Sequence, residues 1–342
     1  MRYYQEEDKK NILKLREVLK TLPEFLGAYF LALAINTAVR TRLSYARDLR
    51  VFFEYIHTLP DFSNIDIEDY TIDTLNRITR TMIDEYLEHL SLYVRNGIEL
   101  SNTESGKKHK LAAVRSMYAY FDRMEKIEKN PAYKVLTPKI HEKEIIRLEK
   151  DEVKTMIKEV KTAKEFSGHQ QFYYAKTKKR DIAIITLLLG TGIRVSECVG
   201  IDIEDISFKD NGITVHRKGG NEYMVYFGDD VKKALKAYIK ERELIQAKEG
   251  SEEALFLSMQ NKRISVRAVE KLVKKYSELT TNKHITPHKL RSTFGTALYN
   301  ETGDIYLVAD VLGHKDVNTT RRHYAAIKES NRKKVSTLIK LS

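Results

Sequence analysis

The stretch Gly190-Thr191-Gly192-Ile193-Arg194-Val195-Ser196-Glu197 places an arginine directly after a glycine turn. It follows an apolar segment, residues 181–189, which predicts a helix that ends at Gly190. Such a turn can hold Arg194 at the start of a second, buried helix, and Glu197 lies three residues on, within reach of the guanidinium. A plain corner between two helices with a structural ion pair would show the same pattern.

The sequence Thr286-Pro287-His288-Lys289-Leu290-Arg291 predicts the first turn of another helix. Thr286 is a suitable N-cap and Pro287 a suitable first helical residue. His288 and Arg291 then share one face near the helix N-terminus, where an imidazole and a guanidinium suit a phosphate. The ordinary alternative is a surface histidine and arginine that bind no ligand.

Three more segments carry basic or nucleophilic side chains. Val215-His216-Arg217-Lys218-Gly219-Gly220 ends a predicted strand in a basic turn, from which a lysine can reach into a groove. Leu312-Gly313-His314 ends a predicted helix at a glycine, and Arg321-Arg322-His323-Tyr324 puts a tyrosine beside a basic cluster. The respective alternatives are a solvated turn, a C-terminal cap favoured by the helix dipole and a tyrosine that only packs.

Together these five segments have the order and spacing of one known active site. Residues 145–330 resemble the catalytic domain of the tyrosine recombinases, the phage integrase and Xer family, and look most like its single-protein Xer members. The family pattern is an arginine in a TG-x-R-x-S-E turn, a hairpin lysine, an H-x-x-R pair, a histidine or tryptophan after L-G, and a tyrosine shortly after that. The residues that match are Arg194, Lys218, His288, Arg291, His314 and Tyr324.

The resemblance implies strand cleavage by a tyrosine. The phenol of Tyr324 would attack a DNA phosphate and expel the 5′-hydroxyl, leaving a 3′-phosphotyrosine. Arg194 and Arg291 would clamp the non-bridging oxygens, on which charge develops. His288 would accept the tyrosine proton, and His314 would hydrogen-bond the phosphate. Because arginines and a general acid take the place of a metal ion, neither a cofactor nor a metal is expected.

The general acid for the leaving oxygen is assigned to Lys218 rather than to its neighbour Arg217. Adjacent strand residues point to opposite faces, so the two side chains do not both face the phosphate. Arginine does not give up its proton in a protein, whereas lysine can. Lys218 is therefore the predicted acid. One further departure, Ser292 where relatives often carry histidine, leaves the assigned roles unchanged.

Apolar residues at helical spacing predict a mainly α protein with a small β-sheet in its C-terminal domain, an α+β fold. Residues 1–130 are predicted to form a bundle of four or five helices that resembles the core-binding, DNA-binding domain of the family. A linker is placed at 131–144, the catalytic domain at 145–330 and a C-terminal tail at 331–342. The resemblance implies a two-domain, C-shaped DNA clamp whose tail contacts a neighbouring subunit.

The catalytic domain alternates helical patterns with one predicted hairpin. Glycine turns precede predicted strands at 213–215 and 223–227. A polar stretch at 161–179 separates a helix that begins near Lys150 from the apolar helix at 181–189. Further helices are predicted at 229–248, 265–279, 287–301, 304–312 and 318–327.

Composition bounds the class of protein. The chain carries 60 basic and 48 acidic residues, a formal net charge of +12, which favours a polyanionic partner. The excess lies in residues 145–342, with 37 basic against 26 acidic residues. The single cysteine, Cys198, excludes an internal disulfide framework and a cysteine-based metal site. The longest apolar stretch, residues 25–35, is too short to span a bilayer, so a cytoplasmic protein without membrane contact is expected.

Two groups of side chains in the first domain are candidates for DNA contact. They lie on or near two predicted helices, at Arg42, Tyr45 and Arg47, and at Lys107, Lys108 and Arg115. We predict that they face DNA phosphates or grooves. Solvated helix faces are the alternative.

The resemblance also implies partners and a role. The substrate would be double-stranded DNA with paired inverted half-sites, bound by a homodimer that assembles into a homotetramer, and a cell-division DNA translocase would be a further partner. The implied role is resolution of chromosome dimers. Rival roles are integration or excision of a mobile element, relaxation of DNA by a type IB topoisomerase, and binding without catalysis, although the complete catalytic set argues against the last.

Overall fold

The computed structural model describes residues 2–140, 145–163, 166–217, 221–313 and residue 317. The chain divides into two compact units, Met1–Lys143 and Glu144–Ser342. Both are mostly helical and each holds a small antiparallel sheet. The predicted mainly α fold with a small sheet in the second unit is confirmed, whereas the sheet in the first unit was not predicted. Among the described residues, no helix combines the length and the apolar character that a membrane span requires.

The first unit is built around one long central helix. Its helices are α1 (Tyr3–Leu19), α2 (Leu26–Ala34), α3 (Val39–His57), α4 (Ile72–Arg77), α5 (Arg80–His89) and α6 (Glu104–Arg123). Helices α1 and α6 pack against α3. The helical spacing noted in the sequence holds, since Leu49, Phe53 and Ile56 of α3 are fully buried in the core of this unit.

A hairpin and a short helix complete the first unit. Strands β1 (Tyr93–Arg95) and β2 (Ile98–Leu100) pair antiparallel across an Asn96–Gly97 turn in which both residues have positive φ, 52° and 73°. Such a turn suits the right-handed twist of a hairpin and favours Asn-Gly. Farther on, a 3₁₀ helix at Pro131–Lys134 packs on α5 and α6. The first residues of the segment assigned to the linker therefore pack on this unit.

The second unit combines helices with a three-stranded sheet. The helices are α7 (Lys150–Thr162), α8 (Gly168–Thr191), α9 (Val195–Gly200), α10 (Asp229–Arg242), α11 (Val266–Glu278), α12 (Pro287–Thr302) and α13 (Ile305–Leu312). The strands β3 (Ile206–Ser207), β4 (Gly212–His216) and β5 (Glu222–Tyr226) pair antiparallel in the order β3-β4-β5. Helix α8 packs against α7, α10 and α12. The predicted hairpin and the helices near 265, 287 and 304 are confirmed.

Helix α8 is much longer than the sequence suggested. The prediction started it at Asp181, but a capping box in which Ser167 and Gln170 exchange hydrogen bonds begins the helix at Gly168. Within the polar stretch, Tyr174 is buried and its hydroxyl donates to the carbonyl of Val160 (3.0 Å). Tertiary packing thus makes a helix of a segment without an apolar period. Helix α10, in contrast, ends at Arg242 rather than 248, and the helix predicted at 318–327 lies outside the described residues.

Two glycines end helices that lead into the predicted catalytic segments. Gly192 follows α8 with φ +63°, and Gly313 follows α13 with φ +60°, both in the left-handed region that favours glycine. Each left-handed residue turns the chain sharply out of the helix. The turn at Gly192 delivers Arg194 to the start of α9.

Candidate active site

Arg194 occupies the N-cap position of α9 and is aimed by a single carboxylate. Its Nη1 donates to Glu197 Oε1 (2.7 Å) and its backbone N–H donates to Glu197 Oε2 (2.8 Å). Its Nη2 donates to the carbonyl of Gly313 (3.1 Å). The side chain of Glu197 is 4% exposed, whereas that of Arg194 is 40% exposed. These bonds therefore fix one edge of the guanidinium, and its other edge is open to solvent.

Arg291 lies near the start of α12 and, like Arg194, donates to a carbonyl at the C-terminal end of α13. Its Nη1 donates to the carbonyl of Gly192 (2.6 Å), and its Nη2 donates to the carbonyl of Leu312. The residue is buried, with 4% of its surface exposed. Arg291 thus ties the turn before α9 to the end of α13.

Arg217, directly after β4, is a third arginine at the C-terminal end of α13. Its Nη2 donates to the carbonyl of Val311 (3.3 Å), and its Nε lies 3.7 Å from Glu197 Oε1. Its guanidinium stacks 4.0 Å above the centre of the Tyr223 ring. In the sequence, Arg217 stands only as a rival to Lys218 for the general acid, and nothing in its residue type indicates these partners.

The last carbonyls of α13 are the common anchor of the three side chains. Those of Val311, Leu312 and Gly313 accept from Arg217, Arg291 and Arg194, respectively. Carbonyls at a helix C-terminus have no partner inside the helix and carry the negative end of its dipole, so they suit guanidinium donors. Two of the three positive charges, those of Arg194 and Arg217, contact one buried carboxylate, Glu197, and the excess of positive charge suits a phosphate.

His288 completes the described part of the predicted catalytic set. It is exposed in the first turn of α12, three residues before Arg291, and Pro287 occupies the first turn as predicted. Lys218, His314 and Tyr324 lie outside the described residues. Two of them are nevertheless chain neighbours of this site, because Lys218 follows Arg217 and His314 follows Gly313.

The only cysteine of the chain lies beside the site but is not a nucleophile. Cys198 follows Glu197 and is fully buried. Burial, together with the nearby Glu197 carboxylate, raises the pKa of the Cys198 thiol to about 12. The thiol therefore stays protonated at neutral pH, and attack on a phosphate falls to another group. Among the described residues, no cluster of histidine, cysteine, aspartate and glutamate could hold a metal ion.

In the first unit, α3 and α6 meet at a junction that contains Tyr45, one of the predicted DNA-binding residues. The Tyr45 and His109 rings lie 6.3 Å apart, and His109 Nε2 lies 3.0 Å from the hydroxyl of Ser44. Beneath them the buried Asp48 accepts from Lys110 Nζ (2.9 Å). We call these five residues the α3–α6 junction.

The remaining candidates of the first unit differ in exposure. Arg47 and Lys108 are exposed, whereas Arg42 is half-buried. Lys107 pairs with Glu104 (3.1 Å) and its side chain is 12% exposed. Exposed cations next to the α3–α6 junction can meet a polyanion.

Arg115 is engaged in a different way from the other candidates. Its Nε donates to the carbonyl of Ala132 (3.2 Å), its Nη1 to the hydroxyl of Thr137 (2.7 Å) and its Nη2 to the carbonyl of Val135. The guanidinium therefore fastens the segment after the 3₁₀ helix to α6. Its positive charge on a predicted helix suggested DNA contact, but residue type does not reveal backbone partners.

Comparison with known proteins places the chain in one family. The profile described as "Phage integrase family" matches residues 146–331. The chain is 34% identical to "Tyrosine recombinase XerC" of Caldanaerobacter subterraneus subsp. tengcongensis, over 92% of this chain and 86% of that protein. It is 30% identical to "Tyrosine recombinase XerS" of Streptococcus equi subsp. zooepidemicus, strain MGCS10565, over 90% of this chain and 93% of that protein.

A solved structure shares the fold. The XerH site-specific recombinase, in a post-cleavage complex with its palindromic difH substrate, aligns with a TM-score of 0.64 over 88% of this chain and 80% of that chain, at 23% identity. At this identity the likeness concerns the fold alone.

Proposed function

The chain belongs to the phage integrase family and is a site-specific tyrosine recombinase of the Xer type; on that premise we propose that it cuts and rejoins DNA through a 3′-phosphotyrosine bond to Tyr324. Its partner is DNA, on which it acts as a multimer. The six residues matched by sequence carry the reaction: Arg194, Lys218, His288, Arg291, His314 and Tyr324.

One observation carries the proposal most directly. Arg194 and Arg291 come from helices 97 positions apart in the sequence, yet their guanidiniums bind adjacent carbonyls, those of Gly313 and Leu312. His314 is the next residue along the chain. This convergence supports a single phosphate site that uses both arginines and the segment after Gly313. An ordinary surface arginine would have no reason to be anchored on the end of another helix.

The proposed reaction balances without a cofactor. The Tyr324 oxygen bonds to phosphorus as the bond to the 5′-oxygen breaks, the tyrosine proton passes to His288, and Lys218 gives a proton to the leaving oxygen. Arg194 stabilises charge on the non-bridging oxygens through the edge of its guanidinium that solvent can reach. Arg291, being buried, adds positive charge and holds the Gly192 turn in place. The 5′-hydroxyl of another strand then reverses the step and rejoins the DNA.

We propose that the two units divide the work. The second unit cuts and rejoins, while the first, with residues 1–130 as its core-binding domain, grips the duplex through the α3–α6 junction, Arg47 and Lys108. Residues 131–144 act as the linker, and the first of them pack on the first unit. Arg115 is left out of the DNA-contacting set because its donors already hold that linker.

We further propose resolution of chromosome dimers in the cytoplasm as the biological role. The substrate is then double-stranded DNA with paired inverted half-sites, bound as a homodimer and recombined as a homotetramer, and a cell-division DNA translocase is a partner. The similarity to XerC and XerS proteins over nine-tenths of the chain supports this role over integration of a mobile element.

The decisive test is covalent trapping on DNA. A nicked suicide duplex that carries the candidate chromosomal site loses a short 5′-hydroxyl fragment after cleavage, so the wild-type protein should accumulate as a denaturant-stable adduct. Tyr324→Phe removes the nucleophile and leaves charge and groove contacts unchanged, so it should bind the same duplex with equal affinity and form no adduct. An adduct with Tyr324→Phe would overturn the assignment. A parallel plasmid assay separates strand exchange between two sites from relaxation alone, the outcome that a topoisomerase would give.

A further inference from the structure

The contacts of Arg217 are those of a side chain that joins parts of the structure, not of one that binds a ligand. Its Nη2 donates to the carbonyl of Val311 (3.3 Å), its Nε lies 3.7 Å from Glu197 Oε1, and the Tyr223 ring covers its guanidinium at 4.0 Å. Its side chain is 11% exposed, compared with 40% for Arg194, which shares Glu197 with it. A phosphate could reach Arg194 without rearrangement, whereas most of the surface of Arg217 is already covered.

The hairpin is joined to α13 through this residue and one other. The backbone N–H of Arg217 donates to the carbonyl of Asn221 (2.9 Å) and closes the loop between β4 and β5. On the far side of the loop, the Tyr223 hydroxyl lies 3.3 Å from Asp310 Oδ1. Arg217 and Tyr223 thus contact neighbouring positions at the end of α13, so the base of the hairpin and the helix end are held as one body.

The glycine after α13 makes this close approach feasible. A Cβ on Gly313 would overlap the guanidinium of Arg217. Gly313 is therefore required for two reasons, its left-handed backbone and the space that Arg217 occupies. The contact joins the last described residue before Lys218 to the last described residue before His314.

We propose that Arg217 is a positioning residue that fastens the β4–β5 hairpin to the end of α13 and to Glu197, and so fixes where Lys218 meets the leaving oxygen. This rests on the proposed function of Lys218 as the general acid. The proposal gives Arg217 a role of its own, which the assignment of Lys218 as the general acid did not. A guanidinium suits the task because it can bind a carboxylate and a carbonyl in one plane and stack on a ring, which an ammonium cannot do.

The first experiment tests the fastening alone, without DNA. Arg217→Ala, Arg217→Lys and the wild type are compared by hydrogen–deuterium exchange, followed in peptides that cover 210–227 and 305–313. Arg217→Ala should speed exchange in both segments by about tenfold, the effect of losing one hydrogen bond from a charged group. Arg217→Lys should lie between the two. Unchanged exchange in both segments would overturn the proposal whatever Lys218 does.

A matched control separates local from general loosening. Arg242 also donates from a buried guanidinium to backbone carbonyls, those of Ala254 and Glu252, within the same unit. Arg242→Ala should lower thermal stability and speed exchange around α10, but leave the relative exchange of the two hairpin segments unaltered. If it loosens them as much as Arg217→Ala does, the effect is general and the proposal fails.

The second experiment tests the consequence for catalysis. Single-turnover cleavage is measured on ordinary DNA and on DNA with a sulfur atom in place of the bridging 5′-oxygen, whose thiolate leaves without a proton. Arg217→Ala should be slowed about 10- to 100-fold on ordinary DNA and should recover most of the loss on the sulfur substrate. Recovery by Lys218→Ala but not by Arg217→Ala would overturn the positioning role. Failure of Lys218→Ala itself to recover would refute the general-acid assignment, and the exchange experiment would still decide the fastening.

Discussion

The two units of this recombinase hold their basic residues in opposite ways. At the end of α13, three guanidiniums donate to backbone carbonyls, and two of them, those of Arg194 and Arg217, contact one buried carboxylate. Beside the α3–α6 junction, Arg47 and Lys108 are exposed. Because neutral carbonyls orient a guanidinium without cancelling its charge, the first arrangement gives donors that are already aimed. The second gives charges that must be ordered on binding, at the cost of side-chain entropy. Catalysis requires donors that are oriented in advance, whereas binding to the phosphates of a duplex can use exposed, flexible cations.

The largest effect is expected in the second unit, when Lys218 is removed and the leaving group of the DNA is changed. Lys218→Ala should be slowed by on the order of 10²–10⁴ on ordinary DNA, because the alkoxide leaving group loses its proton donor. It should largely recover on the bridging-sulfur substrate. Arg194→Ala should not recover, since its task is to stabilise the non-bridging oxygens. Single-turnover cleavage rates of both variants on both substrates are the measurement, and equal recovery, or none in either, makes Lys218 only a phosphate clamp.

Replacing a glycine sharpens the distinction between a backbone effect and a site effect. Gly313→Ala should destabilise the protein by more than ~1–2 kcal/mol, the cost of a left-handed alanine, because its Cβ also displaces Arg217. Gly303 ends α12 with φ +66° and has open space around it, so Gly303→Ala is a matched control that carries the backbone cost alone. Thermal unfolding and cleavage rate are measured for both. If both variants lose stability equally and cleave equally well, Arg217 is not crowded by residue 313.

The C-terminal tail, residues 331–342, is expected to contact a neighbouring protomer. Leu338, Ile339 and Leu341 are apolar and follow the basic run Arg332-Lys333-Lys334. Deleting the residues after Val335 should weaken cooperative binding to paired half-sites by about tenfold, the loss of one small apolar contact between protomers. Binding to a single half-site should be unaffected. A gel-shift titration on both duplexes gives the answer, and unchanged cooperativity would mean that the tail packs elsewhere.

The smallest effects are expected in the first unit. Arg47→Ala and Lys108→Ala should each weaken binding a few-fold on any sequence and reduce the slope of log affinity against log salt by about 1. Arg115→Ala should leave that slope unchanged, because its donors bind Ala132, Val135 and Thr137, and should instead lower thermal stability. Fluorescence anisotropy at several salt concentrations compares the three. A reduced slope for Arg115→Ala would return it to the DNA-contacting residues.

Local sequence patterns predicted several helices and strands correctly. Elements that depend on contacts with distant residues were missed. Helical spacing located α3, α5 and α6, and glycine turns located β4 and β5. The polar first half of α8 was missed because its anchors, such as the bond from Tyr174 to Val160, come from another helix. The Asn96–Gly97 hairpin was also missed, although Asn-Gly between apolar residues is a strong local signal.

The site shows the same division. Residue types in a recognisable order identified Arg194, Arg291 and the partner Glu197. The same reasoning could not distinguish Arg115, which holds a linker, from Arg47, which faces solvent, since both are single cations on helices. Nor could it reveal that Val311, 94 positions from Arg217, accepts its hydrogen bond. Backbone acceptors have no residue type and so leave no trace in the sequence.

The double use of Glu197 has a thermal consequence. One oxygen of this carboxylate caps the first turn of α9 at the backbone of Arg194, and the other aims the guanidinium of the same residue. Fraying of that turn therefore releases the guanidinium from Glu197 at the same moment and leaves its bond to the Gly313 carbonyl. On warming, cleavage should cease when this single turn melts, before the rest of the unit unfolds. Because rejoining reverses the same step, it should cease at the same temperature as cleavage.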